Sequence, residues 1–201
     1  PGLGDFTLRG TQILHSTSPE GHIVPFDKFP HTPDMMALDG TLWVEDGKPY
    51  MVYCHEWVEL GDGTMELIEL TPDLSKTIVP SKVLFNGSAP EWSTGMQPSP
   101  GSPRGYVTDG CYLYRTGKGK LLMIWSSFGK DGYAIGIAES ATGSVKGPWI
   151  QHEKPFFPDN GGHGMIFKTL SGDLCLILHQ PNDPLGAERA HIYPLEDTGD
   201  T

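Results

Sequence analysis

Short apolar runs separated by glycine and proline turns make up most of this 201-residue chain. Three segments share one pattern, in which a polar residue and a glycine lead into an apolar-rich run, a glycine turn and a second apolar run. They are Asp39–Tyr53, Asp109–Ser126 and His163–His179. Because glycine reaches the positive φ that a tight turn requires, each segment is predicted to form a β-hairpin.

Further strands are predicted around these hairpins. Thr64–Leu70 follows the first hairpin, and Gly132–Ser140 follows the second and leads into Gly147–Trp149. The N-terminal stretches 6–18 and 20–26 are similar to the end of such a unit, so the chain is expected to open partway through a repeat. Repeats of roughly 50–70 residues, each with four antiparallel strands, are typical of a β-propeller.

We therefore expect an all-β fold, a single and incomplete β-propeller domain over residues 1–201 with about three to four blades. The expected blade remnants lie near 1–30, 31–85, 105–155 and 156–201. A β-sandwich also suits short strands and frequent turns. It gives no reason, however, for the polar-glycine start to recur in each unit.

Composition supports this interpretation. The chain has 26 glycines and 18 prolines, and its longest stretch without either is Tyr50–Leu60, eleven residues. Since a globular helix runs about 8–20 residues, little room is left for helices. Helix bundles, coiled coils and doubly wound α/β folds are therefore disfavoured.

Charge and cysteine usage restrict the partners. The net charge of −11 disfavours nucleic-acid binding, and no apolar run is long enough for a membrane span. The N-terminus has no signal-peptide pattern. Cys54, Cys111 and Cys175 are far apart in apolar runs, so buried free thiols are expected, with a disulfide or a metal cluster as the open alternatives.

Several ordered motifs carry a family resemblance. They are Leu38–Thr41 with Glu45–Tyr50, Thr108–Gly110 with Leu121–Ser126, Tyr133–Ser140, Gly147–Trp149 and Gly161–Gly164. In this set the chain resembles glycoside hydrolase family 43, five-bladed propeller enzymes that act on arabinose- and xylose-containing glycans. The resemblance covers essentially the whole chain.

The resemblance implies roles for two aspartates. Asp39 matches the aspartate that orients and tunes the general acid, and Asp109 occupies the position of the acid itself. Asp109 stands in a Thr-Asp-Gly setting where the family usually has Glu-Gly-Pro, so its carboxyl would sit about 1.5 Å further back. The family's general base, an aspartate on the first blade, has no counterpart here. The base is thus expected in a missing N-terminal segment, unless another chain completes the propeller.

Physical chemistry supports the same pair independently. Inverting glycosidases require one protonated and one ionised carboxyl, and a neighbouring aspartate raises the pKa of the acid by like-charge repulsion. An aspartate before glycine is often only a turn residue. The recurrence of the pattern favours a functional role for Asp39 and Asp109, and Glu91 is the alternative acid.

The resemblance also suggests residues for metal and substrate. His163 matches a central histidine that helps to hold calcium or another hard cation, although a hydrogen-bonded histidine without metal is the plain alternative. Candidates for contact with the sugar are Trp92, Phe128, His179 and Arg189.

Together these features predict a glycoside hydrolase that cleaves arabinosyl- or xylosyl-type O-glycosidic bonds with inversion, in plant-type polysaccharides or oligosaccharides. One alternative is a non-catalytic carbohydrate-binding propeller, or a catalytically incomplete fragment. A calcium-binding propeller acting as a lactonase or scaffold is a further alternative. An extracellular or periplasmic location is expected for the full-length protein.

Overall fold

The computed structural model describes residues 9–26, 30–78 and 80–201. A short N-terminal hairpin pairs β1 (Leu14–His15) with β2 (Val24–Pro25). The parts of the expected N-terminal unit at 1–8 and 27–29 lie outside the described residues.

Three antiparallel sheets follow, each a meander in which consecutive strands are neighbours. The first contains β3 (Ala37–Glu45), β4 (Lys48–His55), β5 (Thr64–Glu69) and β6 (Lys82–Asn86), with the four-residue helix α1 (Trp57–Leu60) between β4 and β5. The second contains β7 (Asp109–Arg115), β8 (Leu121–Gly129), β9 (Gly132–Ser140) and β10 (Trp149–Gln151), and the third contains β11 (Gly162–Lys168), β12 (Leu174–Gln180) and β13 (Arg189–Pro194). This arrangement confirms the prediction of an all-β, propeller-type fold.

The continuous apolar runs are explained by burial on both faces of each central strand. In β8, Met123 and Trp125 pack toward the first sheet, whereas Leu122 and Ile124 pack toward the third. Because successive side chains of a strand point to opposite faces, a strand between two packed sheets must be apolar at every position.

The first strand of each of the three larger sheets carries a β-bulge at its inner end. The pairing shifts between Leu38 and Thr41 in β3, and at the corresponding points of β7 and β11. In each bulge one residue has a positive φ: Asp39 (58°), Gly110 (52°) and His163 (56°). Asp39 and His163 are therefore structurally equivalent, and their partner in the second sheet is Gly110.

The expected equivalence of Asp39 and Asp109 was consequently wrong by one residue. Asp109 pairs with Ser126 immediately before its bulge, at the position that Leu38 occupies in the first sheet. The two Asp-Gly pairs look alike in sequence. In the structure the left-handed residue is the aspartate of the first pair but the glycine of the second, and both residue types tolerate this conformation. The bulge register shows that they are out of step.

A buried polar network closes the inner end of β4. The carboxylate of Glu66 accepts hydrogen bonds from the hydroxyls of Tyr53 (2.9 Å) and Thr64 (3.0 Å), and one of its oxygens lies 3.0 Å from His55 Nδ1. The other ring nitrogen of His55 lies 2.9 Å from Glu59. Glu59 also accepts a hydrogen bond of 2.8 Å from the backbone N–H of Met36, so the network joins α1 to the residue before β3.

The three cysteines are free and buried, which confirms the prediction from their spacing. Within the described ranges, no helix is both long enough and apolar enough to cross a membrane.

Candidate active site

The inner ends of the three sheets meet at the carboxylate of Asp39. Its Oδ2 lies 3.1 Å from Nε2 of His163 and accepts a hydrogen bond of 3.1 Å from the backbone N–H of Gly110. One oxygen atom therefore links the first sheet to both of the others. The inner ends of β3, β7 and β11 thus converge on one region, the funnel, which contains Asp39, Gly110 and His163.

Gly110 is required where the second and third sheets touch. A Cβ at this position would lie 2.8 Å from the Cα of His163, closer than real contacts allow, and its φ is positive. A larger residue would push the third sheet away. The glycine thus sets the short distance between the sheets that carry Asp109 and His163.

Asp109 is half-buried beside this contact and has one close partner. The hydroxyl of Tyr133 donates a hydrogen bond of 2.7 Å to its Oδ2. Burial, assisted by the negative charges of Asp39 and Glu56, raises the pKa of Asp109 to about 6, although the Tyr133 hydroxyl and the positive charge of His163 oppose the rise. Asp109 can therefore carry a proton close to neutral pH.

The pKa of Asp39 shifts in the opposite direction. Burial disfavours its ionised form, but the His163 ring and the Gly110 N–H together outweigh burial and lower its pKa. The hydrogen bond to Asp39 in turn raises the pKa of His163. The site thus holds one carboxyl that protonates readily and one that stays ionised, which is the pairing that acid catalysis requires.

The ring of Tyr133 is enclosed by aromatic side chains and a glycine. The ring of Phe128 lies 5.1 Å away between centroids, and that of His179 is stacked on Tyr133 at 5.7 Å. A Cβ added to Gly162 would lie 2.2 Å from the Tyr133 ring. The position of the tyrosine is therefore determined from several sides.

This packing predicts that Gly162→Ala destabilises the protein. The added methyl group must displace the Tyr133 ring or the third sheet, so the free energy of unfolding should fall by about 1–3 kcal/mol. Urea denaturation measures the change. Gly117→Ala is the control, because a Cβ there meets its nearest atom at 3.6 Å; equal losses for the two variants would contradict the prediction.

Three of the predicted site residues line one shallow pocket. His163, His179 and Arg189 border a depression of about 310 Å³ on the third sheet, together with Met165 and Ile177. Phe128 lies nearby through its contact with Tyr133. The structure thus brings the histidines and the arginine together.

Trp92 is placed elsewhere, against expectation. Its side chain is only 8% exposed and packs in the core, with its ring 5.3 Å from that of Trp125 and directly against Gly136. A tryptophan buried in this way does not offer a face to a sugar. Glu91, the alternative acid, is exposed on the same loop, whereas Asp109 lies in the funnel.

Sequence reasoning missed a third carboxyl in the funnel. Glu56 follows β4 and is 6% exposed, with Oε1 3.1 Å from the guanidinium of Arg9. Burial raises its pKa against the effect of Arg9, and its charge acts on Asp109. Its sequence context, a His-Glu-Trp step after an apolar strand, contains no glycine start and so gave no signal.

The residues at the centre do not fit a protein-held calcium. Nε2 of His163 faces Asp39, and within the described part of the chain no group of three or more His, Cys, Asp or Glu side chains could hold a metal ion. Calcium prefers six to eight oxygen ligands, which this pair does not supply.

The chain matches one family model and several solved structures. The family model of glycosyl hydrolases family 43 matches residues 5–196. The structure of an endo-arabinase from Bacteroides thetaiotaomicron VPI-5482 superposes with a TM-score of 0.87 at 41% sequence identity, over 94% of this chain and 66% of that one. Among curated proteins, no match was found.

More distant structures share the fold. An endo-1,4-beta-xylanase from the same bacterium has a TM-score of 0.68 at 22% identity, over 90% of this chain and 62% of its own. An alpha-L-arabinofuranosidase from Lactobacillus brevis has a TM-score of 0.65 at 17% identity, over 87% and 57%. The chain thus spans slightly less than two thirds of the length of these three structures.

Proposed function

Because the chain belongs to glycosyl hydrolases family 43, we propose that it hydrolyses arabinosyl- or xylosyl-type O-glycosidic bonds in polysaccharides or oligosaccharides, with inversion. Asp109 is the general acid, and Asp39 tunes its pKa and fixes its surroundings. The proposal assigns no residue of the chain as the general base.

The observation that supports this assignment is the opposite shift of two neighbouring carboxyls. Asp109 has its pKa raised to about 6, and Asp39 has its pKa lowered by His163 and Gly110. Two adjacent turn residues in contact with water would have similar, ordinary pKa values. The difference is what a glycosidase requires of its acid and the group beside it.

The chemistry follows from this pairing. Protonated Asp109 gives its proton to the glycosidic oxygen as the bond from that oxygen to the anomeric carbon breaks. Water adds to the anomeric carbon from the opposite face and loses a proton to a base, so the configuration inverts. The sugar is proposed to contact His179 and Arg189 in the pocket on the third sheet, and Phe128 beside Tyr133.

Incubation with arabinan- and xylan-type oligosaccharides tests the proposal. New reducing ends should appear, and proton NMR of the first-formed product should show the anomer opposite to that of the substrate. Glycan binding by calorimetry without any new reducing ends would contradict hydrolysis and support the carbohydrate-binding alternative.

Asp39→Asn should move the pH dependence in a defined direction. The substitution removes a negative charge that raises the pKa of Asp109, so that pKa should fall below about 6 and the alkaline limb of kcat/KM should move to lower pH. Asp173→Asn, on an exposed turn, removes the same charge and should leave the limb in place. A shift of the alkaline limb to higher pH in Asp39→Asn would refute the role assigned to Asp39.

Two expectations remain predictions. Calcium or another hard cation at the propeller centre receives no support from the described donor set. An extracellular or periplasmic location is in keeping with a polysaccharide substrate, and fractionation of producing cells would test it.

A further inference from the structure

Tyr133 is the only residue whose side chain donates a hydrogen bond to Asp109 among the described contacts of that carboxyl. Tyr133 lies on β9, whereas Asp109 lies on β7. The two strands are not neighbours, because β8 lies between them in the sheet. The hydroxyl of Tyr133 therefore reaches across a strand to the acid. Such a contact is not needed for sheet pairing.

The surroundings of Tyr133 enclose its ring on several sides. Its ring is held between Phe128 and His179 and lies directly over Gly162, whose lack of a side chain provides the space. Ser126 is also near: its hydroxyl accepts the backbone N–H of His163 at 2.9 Å and interacts with the Tyr133 hydroxyl. The tyrosine is thereby tied to the second and third sheets.

From this geometry we propose that Tyr133 is the positioning residue of the general acid, holding Oδ2 of Asp109 so that Oδ1 is the oxygen that carries and delivers the proton. The inference rests on the proposed glycosidase function. A short aspartate has less reach than a glutamate, and a fixed hydrogen bond keeps its carboxyl in one orientation.

The hydroxyl of Tyr133 can play this part in both states of the acid. Burial raises the pKa of Tyr133 well above its ordinary value, so it remains a donor throughout the catalytic pH range. Oδ2 accepts its hydrogen bond whether Asp109 is ionised or protonated, since a protonated carboxyl keeps one carbonyl oxygen. Tyr133 is therefore excluded as the proton donor to substrate.

Three charged groups also act on the pKa of Asp109. Asp39 and Glu56 raise its pKa, and His163 lowers it. The hydroxyl of Tyr133 also favours the ionised form, because it donates a hydrogen bond to it. Removing that hydroxyl while leaving the three charged groups in place isolates its contribution.

Tyr133→Phe is the test, because it removes the hydroxyl and keeps the ring in its cage. With carbon-13-labelled aspartate, the carboxyl resonance of Asp109 should titrate about one pH unit higher than in the wild type, as expected for loss of a hydrogen bond to a charged group. Asp109→Asn identifies the resonance. The alkaline limb of kcat/KM should rise with it, and kcat/KM on natural glycans should fall about 10- to 100-fold.

Tyr114→Phe is a matched control. Tyr114 lies further along the strand of Asp109 and also donates a hydrogen bond to an aspartate, Asp197, at 2.8 Å. Its substitution should leave the titration of Asp109 and the rates unchanged. Equal titrations of Asp109 in the two variants, or a downward movement with Tyr133→Phe, would overturn the inference.

The design separates this inference from the proposed function. If the wild type hydrolyses no glycan but Tyr133→Phe still raises the pH at which Asp109 titrates, the hydrogen bond acts on the carboxyl as inferred and the glycosidase assignment fails. If hydrolysis is present and neither the titration nor the rate responds to Tyr133→Phe, the glycosidase assignment stands and the role of Tyr133 is refuted.

Discussion

Asp109→Asn is expected to lower the rate of hydrolysis of natural glycans by about two to four orders of magnitude, the contribution of a general acid. A sugar leaving group is a poor one and needs a proton as its bond breaks. An amide cannot supply that proton. The rate is measured as kcat/KM on an oligosaccharide at the pH optimum of the wild type.

The leaving group provides the control. The phenolate of an aryl glycoside leaves without protonation, so Asp109→Asn should lower kcat/KM far less with such a substrate. The alkaline limb that Asp109 produces in the wild type should also vanish. Turnover of natural glycans within a few fold of the wild type would identify Asp109 as a turn residue, and Glu91 would become the candidate acid.

Glu66→Leu is expected to cause the largest loss of stability, about 3–5 kcal/mol of the free energy of unfolding. The carboxylate of Glu66 accepts hydrogen bonds from Tyr53 and Thr64 and faces His55, all of them buried. A leucine leaves these donors without an acceptor in a site closed to water. Urea denaturation at pH 7 measures the loss.

Glu69→Leu serves as the comparison, because Glu69 lies on the same strand and is only half-buried; its substitution should cost less than about 1 kcal/mol.

The loss of stability caused by Glu66→Leu also depends on pH. Burial acts to raise the pKa of Glu66, but hydrogen bonds from Ser81, Tyr53, His55 and Thr64 outweigh it and hold that pKa below 4.5. The stabilisation is therefore complete above pH 4.5 and is lost as the pH falls through the lowered value. A deficit that persists undiminished in acid would contradict this origin.

Sequence patterns predicted the architecture because the physics involved is local. Apolar runs hinged on glycine specify hairpins, and their recurrence specifies repeated sheets, so strands such as β8 and β9 were found close to their observed bounds. Asp39 and Asp109 were likewise recognised, since both mark the start of a repeat. These features depend on residues that are neighbours in the chain.

The remaining features depend on contacts between distant segments. Tyr133 meets Asp109 across an intervening strand, and Glu56 reaches the funnel from the end of β4, so neither role is visible in a repeat. Trp92 stands in a loop rich in glycine and serine, yet its ring fills the core above Gly136. Loop composition predicts exposure of the backbone and says little about a large apolar side chain.

The shared bulge has a consequence for engineering these sheets. Grafting a strand from one sheet onto another by matching Asp39-Gly40 to Asp109-Gly110 would introduce a one-residue slip, and every later side chain would exchange the core face for the opposite one. Matching Asp39 to Gly110 and His163 instead keeps the frame. With that offset, the same left-handed backbone position holds a carboxylate in the first sheet and an imidazole in the third. In the second sheet it must stay glycine, because a Cβ at Gly110 would lie 2.8 Å from the Cα of His163.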